Sequence, residues 1–122
     1  MTAYALAHLR RDDRKPVHAD VLEYMERIQS TLDPYRGRFL VHGAQVHVQE
    51  GTWAGDLVLI RFPGLVEARA WYESPAYRAI KHLRTDHLDG DVVLVEGVDS
   101  SHDPARLAAR LRHPAAASRS GG

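Results

Sequence analysis

The sequence contains no cysteine among its 122 residues, and this absence removes several kinds of chemistry. Disulfides, thiolate nucleophiles and metal sites with cysteine ligands all require that residue. Long apolar runs are also missing, since no stretch approaches the roughly 20 residues that a membrane-spanning helix needs. The N-terminal sequence MTAYALAHLRRDDR does not have the order of a secretory signal, because its basic residues follow the apolar part. We therefore expect a cytoplasmic protein with no membrane partner.

A net charge of one sign is lacking as well, because 16 Lys and Arg residues balance 16 Asp and Glu residues. The chain as a whole has no general attraction for nucleic acid, and no nucleic-acid partner is expected. Glycine-rich phosphate loops and a G-x-S-x-G motif are absent, so nucleotide binding and the usual hydrolase chemistry have no positive support. What remains is a composition of 44% hydrophobic and 26% charged residues, which is typical of one globular domain.

The hydrophobic pattern predicts strands and helices in the order β-α-β-β-α-β. Period-two alternation or short apolar runs predict strands over residues 4–9, 38–51, 56–62 and 91–98. Helical spacing predicts helices over residues 18–32, 65–73 and 75–84, with Ser74-Pro75 as an N-cap and first turn. Gly43 lies within the second strand and predicts a bulge or bend there. The order is that of the ferredoxin-like α+β fold, with the helices on one face of an antiparallel sheet.

We expect residues 1–99 to form the ferredoxin-like domain, 100–113 a short C-terminal helix and 114–122 a disordered tail. Asp103 and Pro104 predict the cap and first turn of that last helix, whose arginines make it basic. The third and fourth strands are apolar on both faces, so the sheet face opposite the helices needs a cover. A second copy of the chain would provide it, which predicts a homodimer.

Four ordered segments resemble one known family. They are RFLVHG at residues 38–43, RAWYESPAY at 69–77, LRTD at 83–86 and GDVVLVEGV at 90–98. Together they resemble the domain of unknown function 1330 family, within the dimeric α+β barrel superfamily. The resemblance implies a ferredoxin-like subunit and a dimer, but no settled activity. Two positions depart from the family pattern, Arg36 and Ala44, where glycine is common, and Arg36 is expected to make a positive φ harder to adopt.

Related dimeric barrels include cofactor-free monooxygenases, cyclases, isomerases and small-molecule-binding proteins, with a pocket between the sheet and the helices. Chemistry on an aromatic or polyketide-like molecule there would need an aromatic wall, a base and a cation for an enolate or phenolate. His42 is the candidate base and Arg84 the candidate cation, both as catalytic residues. The candidate ligand contacts are Trp71, Tyr72, Tyr77 and His8.

Each candidate also has a purely structural interpretation. Trp71 and Tyr72 lie at helical spacing from Leu65 and Ala68, which favours core packing over ligand contact. His42 follows an apolar strand and is as compatible with a structural hydrogen bond as with catalysis. The two leading functions therefore stay open: binding or cofactor-free conversion of a small aromatic or polyketide-like molecule, and a non-catalytic binding, regulatory or assembly module.

Metal binding has little support in the residue spacing. His42 and His47 are five residues apart, and so are His82 and His87. Neither pair matches the i, i+4 spacing on a helix, or the alternation on a strand, that brings two imidazoles together. The sequence predicts no dedicated metal site and no cofactor.

Overall fold

A computed structural model of the chain describes residues 1–113. Its strands are β1 (Ala3–Arg10), β2 (Arg38–Val41), β3 (Asp56–Phe62) and β4 (Asp89–Glu96). Its α-helices are α1 (Ala19–Leu32), α2 (Leu65–Glu73), α3 (Pro75–Thr85) and α4 (Pro104–Arg112). The strands form one antiparallel sheet in the order β2-β3-β1-β4. The predicted α+β class and ferredoxin-like order are thereby confirmed.

The alternation of small and large residues along β1 sets the two faces of the sheet. Ala3 and Ala5 are buried on the face that the helices cover, which we call the inner face. Leu6 points to the other side, the outer face, where it lies opposite Leu59 of β3 and Val93 of β4. The inner face and the helices enclose the hydrophobic core, whose largest fully buried side chains are Trp71, Tyr77, Phe62, Leu32 and Ile80.

Ser74 separates α2 from α3 and fixes the direction of the second helix. Its side chain accepts a hydrogen bond from the backbone N–H of Tyr77, and Pro75 occupies the first turn, as the sequence predicts. Because the cap sits between two helical stretches, α3 begins at a new angle and presents Tyr77, Ile80 and Arg84 to the core.

The second strand is much shorter than predicted. The sequence predicts a bent strand over residues 38–51, but β2 ends at Val41. Its pairing with β3 already shifts register between Phe39 and Val41, and Gly43 then takes a φ of 79°, which turns the chain away from the sheet. Residues 42–55 form a loop instead, with further left-handed glycines at Gly51 and Gly55.

Arg36 adopts the left-handed conformation that was expected to be difficult for it, with φ 61° and ψ 30°. It caps the short 3-10 turn Asp33–Tyr35, where its backbone N–H donates to the carbonyl of Asp33.

Every residue of α4 is exposed. Within the described residues no helix has the length and apolar character to cross a membrane. The predicted disordered tail, residues 114–122, lies outside the described residues.

Candidate functional site

A cavity of about 270 Å³ lies between the inner face of the sheet and the helices. Small residues of β1, Ala5 and Ala7, leave the space open, because larger side chains there would fill it. Val21 and Ile28 of α1 and Val58 and Ile60 of β3 supply much of its apolar wall. Four of the residues that the sequence predicts for a site also line it: His42, Trp71, Tyr77 and Arg84.

A buried polar cluster lies within this apolar wall. The hydroxyl groups of Tyr24 on α1 and Tyr77 on α3 are 2.8 Å apart, and Arg84 donates to the Tyr77 hydroxyl at 3.3 Å. The Arg84 guanidinium also lies over the Tyr24 ring, 5.6 Å from its centroid, in a cation–π arrangement. The cluster joins α1 to α3 and holds a cation at the cavity wall.

Arg84 has no acidic partner among residues 1–113. Its residue is only 5% exposed, and among residues 1–113 no carboxylate lies within 4.0 Å of its guanidinium. Asp56 also lines the cavity, but its carboxylate pairs with Arg11 at 3.2 Å. Buried charges in proteins are normally paired, so a lone guanidinium in an apolar cavity is unusual. The cavity therefore has one positive charge in excess.

The tyrosines keep this charge in place. Burial by itself lowers the pKa of Arg84, but the oxygens of Tyr77 and Tyr24 favour the charged form, and the pKa is raised overall. The pKa of Tyr24 is raised far above its ordinary value, chiefly by burial and further by Tyr77. The hydroxyl groups and the guanidinium of the cluster offer hydrogen-bond donors to an acceptor in the cavity.

The two predicted aromatic wall residues on α2 have different surroundings. Trp71 is 2% exposed, donates from Nε1 to the Thr31 hydroxyl at 3.0 Å and has its ring centroid 4.3 Å from that of Tyr77. It both packs the core and lines the cavity. Tyr72 is half-buried behind Trp71, with the Lys81 ammonium 4.9 Å from its ring centroid, and it is not part of the cavity lining.

His42 lies at the exposed side of the cavity, directly after β2. Its ring stacks on Phe39, with centroids 4.6 Å apart and planes inclined by 14°. The turn at Gly43 follows immediately, and His42 and Gly43 both line the cavity. His42 is therefore accessible to solvent and to a bound molecule at the same time, whereas His47 is exposed in the loop and outside the lining.

His8 is separated from the other candidates by the sheet itself. It lies on the outer face, stacked on Trp53 at 4.1 Å, and bonds through Nε2 to the carbonyl of Ala54. His8 does not approach His42 across paired strands, because β3 lies between β1, which carries His8, and β2, which precedes His42. His8 is not part of the cavity lining.

Tyr24 is the site residue that sequence reasoning missed. It falls on the apolar stripe of α1 with Val21 and Ile28, which predicts simple core packing. Only its hydroxyl distinguishes it from phenylalanine, and a hydroxyl on a buried stripe indicates that a polar partner lies opposite. That partner is Tyr77, on a helix that the α1 sequence alone cannot identify.

The family model for a domain of unknown function, DUF1330, matches residues 2–98 of this chain. The chain belongs to the DUF1330 family. The match spans all four strands and ends before α4, so every lining residue of the cavity lies within the DUF1330 region. The resemblance inferred from four segments of the sequence is thereby confirmed, and the family has no assigned function.

Solved structures support the DUF1330 fold. The RPA0582 protein of unknown function from Rhodopseudomonas palustris is 13% identical, with a TM-score of 0.57 over 80% of this chain and 83% of that chain. A structure of methylated RPA0582 gives 12% identity and a TM-score of 0.56, over 83% and 84% of the two chains. At these identities the likeness concerns the fold alone. No curated protein matches the sequence.

Proposed function

We propose that the cavity binds a small aromatic or polyketide-like molecule through an anionic oxygen, and that any conversion there proceeds without a cofactor. The observation that carries this proposal is Arg84, a buried guanidinium with no carboxylate among the described residues to balance it. An enolate, phenolate or carboxylate oxygen would supply the missing charge. The two tyrosine hydroxyls would hold it in position.

The cavity wall supports an aromatic or polyketide-like body for the ligand. Ala5, Val58, Ile60 and Trp71 line it with apolar surface, and the polar groups converge on one side. A few placed polar groups in an apolar cleft are typical of small-molecule sites. The volume of about 270 Å³ restricts the ligand to a small molecule.

His42 decides between turnover and simple binding. As a base it would take a proton from the bound molecule while Arg84 stabilises the oxyanion that forms. In that case His42→Ala abolishes turnover and largely spares affinity. If His42 is only a contact, as in a binding or regulatory module without catalysis, the same substitution weakens binding and there is no turnover to lose.

The charge requirement can be tested with matched probes. We choose 2-naphthoate and its neutral isostere 2-naphthamide, and measure binding of each by titration calorimetry. The proposal expects the native protein to prefer the anion by about 10- to 100-fold, the range of a charge-assisted hydrogen bond. Arg84→Met should remove this preference.

The matched control is Arg78→Met on the same helix, since Arg78 is exposed and outside the cavity lining. Circular dichroism and thermal unfolding show whether each variant is folded. If Arg84→Met unfolds, the double variant Tyr24→Phe/Tyr77→Phe provides the second test, because it removes both hydroxyls that position the anion. Equal affinity of the native protein for both probes, or an anion preference that survives in a folded Arg84→Met protein, would contradict the proposal.

We propose in addition that two chains pack through their outer sheet faces to form a homodimer. Leu6, Leu57 and Leu59 are only half-buried in the single chain, and Val93 and Val95 are 50% and 48% exposed. A contiguous apolar surface of this kind is typical of an interface. We expect neither a membrane nor a nucleic acid as a partner of the protein.

Charge at the two edges of the sheet supports the same arrangement. Arg36, Arg38 and Arg61 line a depression at the β2 edge, and Arg38 lies directly opposite Arg61, a like-charge pair that destabilises a lone sheet. At the β4 edge, Asp89 and Asp91 are exposed, and Asp91 also pairs with Arg10 of its own chain at 2.9 Å. Two-fold packing that sets the β2 edge against the partner's β4 edge would bring unlike charges together.

Light scattering coupled to size exclusion tests the dimer. The native protein at micromolar concentration should have twice the 13.7 kDa of one chain. Leu59→Lys should give the mass of a single chain, whereas Val66→Lys should not, because Val66 is 76% exposed on α2, away from the sheet. A native protein with the mass of one chain would exclude the dimer.

We further propose a cytoplasmic location, which rests on the pattern of apolar and basic residues in the N-terminal sequence.

A further inference from the structure

Two histidines and an aspartate meet beside the cavity, outside the site described above. His18 is the N-cap of α1, Asp20 is in the first turn of that helix, and His87 lies in the turn between α3 and β4. Asp20 and His87 are 67 positions apart, and the fold joins them through a hydrogen bond. Their neighbours Val17, Val21 and Leu88 line the cavity, so the cluster backs onto its wall.

The donor atoms of the three residues lie close enough together for small side-chain rotations to bring them onto a single ion. Nε2 of His87 is 2.9 Å from Oδ2 of Asp20, and Nδ1 of His18 is 3.8 Å from the same oxygen. One donor atom from each residue can be chosen so that all three lie within 4.8 Å of one another. Tetrahedral zinc, with bonds of about 2.0 to 2.2 Å, places its ligand atoms about 3.4 Å apart. The separation of 2.9 Å between His87 and Asp20 is shorter than this value, and that of 3.8 Å between His18 and Asp20 is longer.

The geometry points to a binding site for a first-row divalent cation, which we propose is held by His18, Asp20 and His87. Two imidazoles with one carboxylate are ligands that favour zinc, nickel, cobalt or ferrous iron over magnesium or calcium. Three protein ligands leave at least one position for water or for an added ligand. The ion would tie the start of α1 to the turn that follows α3.

Binding requires a change in ring orientation that the surface allows. The rings of His18 and His87 are stacked, with centroids 3.6 Å apart and planes inclined by 17°, so their lone pairs do not yet converge. The side chains of His18 and His87 are 50% and 25% exposed, which leaves room for one ring to turn. His18 Nδ1 accepts a hydrogen bond from the backbone N–H of Asp20. If the His18 ring turns, a water molecule can accept from this N–H instead, because the position is exposed.

Titration of the tag-free full chain with Co²⁺ and with Zn²⁺ tests the site. We expect one ion per chain, a visible absorption band of bound Co²⁺ and a rise in Tm when Zn²⁺ is added. His87→Gln and Asp20→Asn should each weaken binding at least about tenfold, because each removes a ligand. The control variants His47→Gln and His102→Gln, at exposed histidines outside the cluster, should bind as the native protein does.

Two variants at different elements guard against a folding artefact, and circular dichroism confirms that each is folded. Absence of stoichiometric binding by the native protein would overturn the proposal. So would binding by folded His87→Gln and Asp20→Asn proteins at native affinity, since the ion would then be held elsewhere. The readouts need no ligand in the cavity, so the result is independent of the proposed function.

Discussion

The two faces of the sheet are built from the same strands but are completed in different ways. On the inner face, Ile60 is 4% exposed because the helices of its own chain cover it. On the outer face its neighbour Leu59 is only half-buried, and Val93 opposite Leu6 is 50% exposed. One face is therefore covered within the chain, whereas the other remains apolar surface that the proposed second copy would cover. Substitutions on the two faces should consequently differ in kind as well as in size.

The largest difference is expected between the two tryptophans. Trp71→Ala should lower the free energy of unfolding by about 3 to 5 kcal/mol, since it leaves a cavity and removes one hydrogen bond of the buried Thr31 hydroxyl. Trp53→Ala should cost about 1 kcal/mol or less, because Trp53 is 38% exposed and its ring stacks on His8 at the surface. Urea unfolding followed by circular dichroism measures both values. Equal losses would contradict the distinction between the faces.

Adjacent residues of β3 provide a sharper comparison. Ile60→Ala should cost about 2 to 5 kcal/mol at every protein concentration, because the lost packing is internal to the chain. The cost of Leu59→Ala should depend on concentration, because in the proposed dimer that side chain packs against the second copy. Thermal unfolding over a hundredfold range of concentration separates the two. A concentration-independent Tm for the native protein would show that the outer face makes no contact with a partner.

The smallest effect concerns a single hydroxyl on the inner face. Burial raises the pKa of Tyr24 above its ordinary value of 10.0, so the folded protein holds this proton more tightly than the unfolded chain. Stability from this group is complete below pH 10 and is lost as pH rises further, by at most about 1.4 kcal/mol per pH unit. Tyr24→Phe should flatten this alkaline loss when unfolding is followed between about pH 9 and 11. Identical slopes for both proteins would refute the assignment.

The sequence predicts the fold well because its signals are local. Period-two alternation identifies β1, helical spacing identifies α1, and Ser74-Pro75 marks the start of α3 at the observed residue. The end of β2 was predicted wrongly because Gly43 does not bulge within a strand but turns the chain out of the sheet. A glycine permits both outcomes, and tertiary contacts choose between them.

The cavity lining could be predicted only where a single segment carries the relevant residues. Arg84 and Trp71 were identified on their own helices, and the structure places both in the cavity lining. Pairings across the chain were not accessible, because strand register and helix packing decide them. This is why Tyr24 was missed. For the same reason, sequence spacing paired His87 with His82 as possible metal ligands, whereas in the structure His87 forms a hydrogen bond with Asp20.

The burial of Trp71 and the exposure of Trp53 give the protein two optical reporters. They are its only two tryptophans, one beside the cavity and the other stacked on the outer face. Iodide should quench the fluorescence of Trp53 and leave the emission of Trp71 largely unaffected. Occupation of the cavity would then change the emission of Trp71, which iodide leaves largely unquenched. Association through the outer face would change the quenching of Trp53. Both events can be followed in the same cuvette, without a label.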